Sequence, residues 1–279
     1  MANRMDVDCI MQGNNLDLLK TLPDESIDMV VTSPPYDNLR DYKGYTFDFE
    51  GVVKELFRVI KTGGVIVWIV SDAMIDGSET GTSFRQALYF KECGFNIHDT
   101  MIWRKDTFTF PDATRYCQCF EYMFVFSKGK PKSVHRIEDR KNKWCGSAVH
   151  GTSRNVDGTT FRKSNDKKSN VKEYGVRFNV WDIPTEKNNK TGHPAVFPVA
   201  LVRDHIISWS DEGDIILDIF MGSGTTGIAC VDTNRHYIGF EISPEYCDIA
   251  RKRIENHIRF PDGEQEVMEG QIGIFDILN

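Results

Sequence analysis

Two hydrophobic periods alternate along this chain. An apolar run, Cys9-Ile10-Met11, leads into a helical stretch from Leu16 to Leu22 and then into Ile27 to Val31, whose unbroken apolar character predicts a buried strand. From Phe49 to Ile60 the apolar residues return at helical spacing, and Lys61-Thr62-Gly63-Gly64 supplies the basic last turn and the glycines that predict a helix stop. Strand Val65 to Val70, helix Ser83 to Glu92 ending at Gly94, and strands Ile97 to Trp103 and Glu121 to Phe126 follow. Strands alternating with helices predict an α/β fold on a parallel sheet.

Between Ser127 and about Thr191 the periodicity disappears into Lys, Asn, Ser, Gly and Thr, with Trp144, His150, Phe161, Tyr174 and Trp181 scattered through it. A stretch of that length is either a functional insert or partly disordered. The pattern then resumes: helix Phe197 to Trp209, strand Ile215 to Phe220, helix Thr225 to Thr233, strand Tyr237 to Glu241 and a closing helix from Pro244 to Ile258, with Ser243 as its cap. The divisions are 1–127, an insert at 128–191, a second half at 192–260 and a tail at 261–279.

Composition narrows the class. With 279 residues, 40% apolar and 11% aromatic, the chain can bury a substantial core. The N-terminus carries no apolar signal region, and no run approaches the roughly 18 apolar residues of a membrane span, so a cytoplasmic protein is expected. Seven irregularly spaced cysteines, Cys117 and Cys119 among them, include no C-x-x-C pair, which argues against a disulfide framework and a zinc site. The net charge of −7 is unevenly spread: Lys128 to Lys172 holds thirteen Lys or Arg against four Asp or Glu, so this stretch is +9 and the remainder −16. Such asymmetry predicts a local polyanion contact, with a solvated surface loop as the plain alternative.

Two constellations carry candidate chemistry. Strand residues Val30-Val31 run into Thr32-Ser33-Pro34-Pro35-Tyr36, where adjacent prolines remove two backbone donors and leave the Pro34 carbonyl without a ladder partner. Ser33 adds an acceptor and Tyr36 a flat face for stacking, so the turn is either a clamp for a planar amino group or ordinary strand-ending punctuation. The second constellation is Phe220-Met221-Gly222-Ser223-Gly224-Thr225-Thr226 between a strand and a helix. Its glycines let the backbone approach a ligand, and the following helix N-terminus favours an anionic group such as a carboxylate. Nineteen residues past Gly222, Glu241 closes the next strand, where an acid accepts from ribose hydroxyls. A nucleoside cofactor is therefore expected, although Thr225-Thr226 departs from the dinucleotide fingerprint and no lysine makes the turn a P-loop. Asp72, just beyond Val65 to Val70, is a further candidate at the same sheet edge.

TSPPY at Thr32 to Tyr36, the basic insert, GHPAVFP at Gly192 to Pro198, FMGSGTT at Phe220 to Thr226, IGFEISPEY at Ile238 to Tyr246 and MQGNNLDLL at Met11 to Leu19 together resemble one family. It is the S-adenosylmethionine-dependent DNA amino methyltransferases of the β arrangement. The resemblance covers nearly the whole chain apart from the insert and the tail. It implies a doubly wound, mostly parallel seven-stranded sheet of Rossmann-like form with circularly permuted motif order, and an irregular target-recognition insert. It implies S-adenosylmethionine as cofactor, S-adenosylhomocysteine as product, no metal, double-stranded DNA as partner, and a cytoplasmic place in a bacterium, an archaeon or a phage host, in the setting of restriction and modification. The oligomeric state, monomer or homodimer, stays open.

Residue by residue, the resemblance implies catalysis at Ser33, Pro34, Pro35 and Tyr36, and cofactor binding at Asn14, Thr32, His193, Phe220, Gly222, Ser223, Gly224, Thr225, Thr226 and Glu241. Three of these keep a second reading. Asn14, where the family carries aspartate, either accepts from the cofactor's adenine or caps the helix near Leu16; His193 orients the cofactor's methionyl end or closes a loop; Phe220 lines the adenosine pocket or packs in the core. Lys141, Lys143, Arg154, Arg162 and Lys163 are the DNA-contact candidates of the insert. The serine heading S-P-P-Y is associated mainly with N4 of cytosine, with N6 of adenine as the alternative. Motif order disfavours an RNA or protein methyltransferase, and the intact motifs disfavour a non-catalytic DNA-binding remnant. Gln271-Ile272-Gly273-Ile274-Phe275 resembles peptides that bind bacterial sliding clamps, and otherwise reads as a terminal strand docking on its own domain.

Overall fold

The computed structural model describes residues 5–35, 47–109, 113–149, 151–162, 170–186 and 197–260. Eight strands form the central sheet: β1 (Cys9–Gln12), β2 (Ile27–Thr32), β3 (Ile60–Val70), β4 (Asn96–Thr109), β5 (Gln118–Ser127), β6 (Val180–Asp182), β7 (Ile215–Asp218) and β8 (His236–Glu241). Their spatial order is β1-β8-β7-β2-β3-β5-β4-β6, parallel throughout except for β5, which runs antiparallel to both of its neighbours. The sheet is the expected doubly wound one with one strand more than seven. The addition is β6, contributed by the insert and paired beside β4 with Trp181 opposite Trp103. Only Trp181 in this three-residue strand is buried, so no alternation announces it.

Among the described residues six helices cover the two faces. On one side α1 (Asn15–Thr21), α2 (Phe49–Val59) and α3 (Thr82–Glu92) pack over Val30, Ile66, Trp68 and Phe126; on the other α4 (Val199–Trp209), α5 (Thr225–Asp232) and α6 (Pro244–Arg259) pack over Val31, Val67 and Ile216. In α2 the periodic residues Val52, Val53, Leu56 and Val59 are fully buried, and each contributes roughly 1.5–3 kcal/mol of transfer free energy. Asp48 caps this helix by accepting from Gly51 N at 3.0 Å. Ser243 caps α6 through Tyr246 N, and Pro244 occupies its first turn.

Two boundaries differ from the hydrophobic pattern. Helix α2 ends at Val59, and Ile60 is already extended and paired with Ile27; the segment to Gly64 then forms an irregularity in β3 instead of a helix-terminating turn. Gly64 is required there by close approach, because a Cβ would lie 2.8 Å from the Asp28 carbonyl oxygen. Strand β4 runs six residues past Trp103, to Thr109, along a polar edge where no apolar alternation marks it.

The described residues of the insert form two short ladders. Residues 140–141 pair with 174–175 and residues 152–154 with 160–162, both antiparallel. Arg177 ties it to the body, donating to Asp139 within the insert and to Asp204 of α4 at 2.7 Å, while Trp181 stacks on His205 of the same helix at 4.4 Å. Among the described residues no helix is long and apolar enough to cross a membrane.

Candidate active site

The crossover after β7 leads through α5 to β8 on one side, and the crossover after β2 leads through α2 to β3 on the other. Their divergence makes the carboxyl ends of β7 and β2 the topological switch point of the sheet, the place where open α/β sheets bind ligands. Both candidate motifs sit there. Ser33, Pro34 and Pro35 continue from β2, with Pro34 buried and its neighbours half-buried. The glycine turn continues from β7, and Glu241 ends β8 beside it.

A residue that the motifs do not single out joins the two. Asp218, the last residue of β7, is 2% exposed and accepts three hydrogen bonds: from Thr32 Oγ1 at 2.7 Å, from Thr226 Oγ1 at 2.5 Å and from Phe220 N at 3.0 Å. Burial pushes its carboxyl pKa up, and these donors oppose the shift. The Thr32 hydroxyl is therefore committed to a carboxylate in the interior, and Thr32 is fully buried. The only signal in the sequence is one acid in the apolar run Ile215 to Phe220, which in a buried strand demands donors.

The glycine turn is built tightly. Gly222 and Gly224 have φ of 51° and 86°, and Gly224 backs onto α6, where a Cβ would come within 3.0 Å of the Ala250 Cβ. Glu241 holds the turn from the neighbouring strand: Oε2 accepts from Gly222 N and Oε1 from Ser243 N, both at 2.9 Å. Burial raises its pKa while these backbone donors lower it. Arg253 of α6 braces the far side, with Nη1 donating to Ser223 O at 3.2 Å, Ser223 Oγ at 3.1 Å and Thr225 Oγ1 at 2.9 Å; desolvation lowers its pKa against the charge of Glu186. No local pattern marks Arg253 in sequence. An α5 N-terminus behind positive-φ glycines, with a carboxylate at the adjoining strand end, fits a nucleoside that carries its own carboxylate.

Other candidates take plainer places. Asn14 Oδ1 accepts from Leu16 N at 2.9 Å and Asp17 N at 3.4 Å, which makes Asn14 the N-cap of α1. Phe220 is half-buried with its ring 5.1 Å edge-on from Phe47, in an aromatic group that reaches Trp68. Asp72 binds Ser83 N, Ser83 Oγ and Thr80 Oγ1, so it secures the start of α3. Lys141, Lys143 and Arg154 are exposed on the insert, Lys143 over the ring of the exposed Trp144. Tyr36, Lys163, His193 and the tail 271–275 lie outside the described residues, and Arg162 is described in backbone only. Among the described residues no group of three His, Cys, Asp or Glu could hold a metal ion, and all seven cysteines are free thiols.

A DNA methylase family model, that of the N6 and N4 amino methyltransferases, matches residues 27–252, from β2 through the glycine turn and most of α6. The chain belongs to this family. It is an S-adenosylmethionine-dependent DNA amino methyltransferase. The orphan methyltransferase M.BamHII of Bacillus amyloliquefaciens is 56% identical over 247 residues, covering 86% of this chain and 92% of that protein. The type II methyltransferase M.SmaI of Serratia marcescens is 27% identical, with 88% and 90% covered. Among solved structures, the PvuII DNA methyltransferase described as cytosine-N4-specific superposes with a TM-score of 0.63 at 23% identity, covering 91% of this chain and 93% of that one. The complex of M1.HpyAVI with S-adenosylmethionine gives 0.61 at 23% identity, with 88% and 98% covered. These two share the fold.

Proposed function

We propose that this methyltransferase modifies the N4 amine of a cytosine turned out of duplex DNA. The observation that supports amine methylation is the position of Ser33 and Pro34, one and two residues beyond a threonine anchored to the strand that leads into the glycine turn, and the serine heading S-P-P-Y is what favours cytosine. An exocyclic amine is a poor nucleophile, because its lone pair is delocalised into the ring. Ser33 Oγ and the Pro34 carbonyl oxygen are paired acceptors for the two N–H groups. They hold the nitrogen so that its lone pair points at the methyl donor, and they stabilise the positive charge that develops on nitrogen. S-adenosylmethionine, when bound, supplies a methyl group on a positively charged sulfur. The alkylated nitrogen is strongly acidic and loses its proton through Ser33 Oγ or to water, so no strong base is required.

The target amine lies inside the duplex, so the base leaves the stack to be reached, and Tyr36 serves as its stacking platform. Gly222, Ser223 and Gly224 together with the α5 N-terminus receive the cofactor's carboxylate, and Glu241 accepts from its ribose. Phe220 borders the adenosine and His193 the methionyl end. The exposed cations of the insert, Lys141, Lys143 and Arg154, with Arg162 and Lys163, contact phosphates and base edges. Nucleoside mass spectrometry of DNA incubated with the protein and S-adenosylmethionine tests the base. N4-methylcytosine is expected, and N6-methyladenine alone would replace this proposal with the adenine reading.

A further inference from the structure

One carboxylate touches both halves of the reaction site. Asp218 Oδ1 receives the hydroxyl of Thr32, the residue immediately before Ser33, and also the backbone N–H of Phe220, which opens the cofactor turn. Its Oδ2 receives the hydroxyl of Thr226, in the first turn of α5. The three donors come from the end of one strand, from a turn and from a helix start, and the most distant of them lies 186 positions from Asp218 along the chain. All of the side chains are buried: Thr32 is 0%, Thr226 1% and Asp218 2% exposed. Backbone pairing of β7 with β2 extends only as far as Leu217 with Val30. Beyond that level, the Asp218 carboxylate links the ends of the two strands.

We propose that Asp218 is a positioning residue for methyl transfer: through Thr32 it fixes the Ser33-Pro34 acceptor pair, and through Thr226 and Phe220 N the cofactor turn, at one separation. The inference rests on Ser33 and Pro34 being the amine acceptors. Asp218 itself touches neither the amine nor the methyl donor. Its role follows from the demands of the reaction, since the acceptors and the cofactor sit on different strands and a displacement of about 1 Å between reacting groups can cost on the order of a hundredfold in rate. A buried carboxylate retains this geometry because each of its donors satisfies a lone pair that would otherwise be left without a partner in the interior. The two arms are separable. The Thr32 arm governs the placement of the acceptors, and the Thr226 arm governs the shape of the cofactor turn.

The test is a set of four variants, Thr32→Val, Thr32→Ser, Thr226→Val and Asp218→Asn. Each is assayed by single-turnover methyl transfer to DNA, by calorimetric titration with S-adenosylmethionine and by thermal unfolding. Thr32→Val is expected to slow the single-turnover rate by tenfold or more while cofactor affinity stays within threefold of wild type, and Thr32→Ser, which keeps the hydroxyl, is expected to recover most of the rate. Thr226→Val is expected to weaken cofactor affinity by tenfold or so. The double variant Thr32→Val/Thr226→Val is expected to lose at least as much rate as Asp218→Asn, because the asparagine amide keeps an oxygen that accepts from Thr32 Oγ1 and Phe220 N and an NH2 that can donate to the Thr226 hydroxyl. A wild-type rate in Thr32→Val, or a Thr32→Ser as slow as Thr32→Val at equal thermal stability, overturns the inference. Should Asp218→Asn fail to fold, the valine and serine pair at position 32 decides alone. Transfer to adenine instead of cytosine would overturn the base assignment and leave this inference standing.

Discussion

Thr32 and Asp218 meet by a 2.7 Å hydrogen bond in the interior of the sheet, at the adjoining ends of β2 and β7. The bond lies where the winding direction of the sheet reverses, so it bridges the two halves that a permuted motif order places far apart in sequence. Ser33 follows one partner directly, and the cofactor turn follows the other within two residues. The proposed catalytic turn and the glycine turn are thus two outgrowths of a single buried cluster.

Glu241 grips that cluster from the next strand. Its two oxygens already accept from Gly222 N and Ser243 N, and remaining lone pairs of the carboxylate are left for ribose hydroxyls. Glu241→Gln is predicted to weaken S-adenosylmethionine binding by roughly tenfold to a hundredfold, the range of a hydrogen bond to a charged acceptor. Calorimetric titration checks it, and unchanged affinity would remove Glu241 from the cofactor site.

Acid should destabilise the fold through His205. This fully buried residue stacks on Trp181, approaches the Met123 sulfur at 3.1 Å and feels the charge of Arg177, so burial and then that charge push its pKa from the usual 6.5 down to about 3. The unfolded chain therefore takes up a proton that the folded chain refuses. The stability this group contributes is complete above about pH 6.5 and falls away progressively as the pH drops from there toward 3, by up to roughly 5 kcal/mol across the window. Urea unfolding at pH 7 and pH 5 should show a clear loss in the wild type and a smaller one in His205→Leu.

Much of this architecture is legible in the pattern of residues. The helices α2, α5 and α6 and the strands β7 and β8 follow from periodicity, caps and glycines, because their apolar faces are continuous and their ends are chemically marked. Strand β6 is not legible, since three residues with one buried tryptophan carry no period. Nor is the start of β3 at Ile60, where Lys61 to Gly64 imitate a helix stop but serve a sheet irregularity. At the site, the residues with motif chemistry announce themselves. Asp218 and Arg253 do not, because each acts through partners that only the fold brings near.

Arg177 should anchor the insert to the body. It bonds Asp139 and Asp204 together, and these side-chain partners, Asp139 first, raise its already high pKa against the cost of burial. Arg177→Ala leaves the mostly buried Asp204 without this partner and is predicted to cost about 1–3 kcal/mol in stability. DNA affinity should fall more than cofactor affinity. Equal losses in both would show that Arg177 supports the whole fold and not the placement of the insert.

Lys141 and Lys143 should act on phosphates without reading sequence. Replacing both with glutamine is predicted to weaken binding to all duplexes alike and to reduce the slope of log affinity against log salt by about 0.9 for each phosphate no longer neutralised. Fluorescence anisotropy across a salt series measures this. An unchanged slope would place the DNA on another surface.

The most direct test is methylome sequencing of an otherwise unmethylated bacterial host expressing the chain, beside the same host expressing Ser33→Ala. N4-methylcytosine at one recurrent sequence, present with the wild type and strongly reduced with the variant, is the predicted result. Adenine methylation in its place, or cytosine methylation undiminished by Ser33→Ala, would contradict the assignment of Ser33 and Pro34 as the clamp for a cytosine amine.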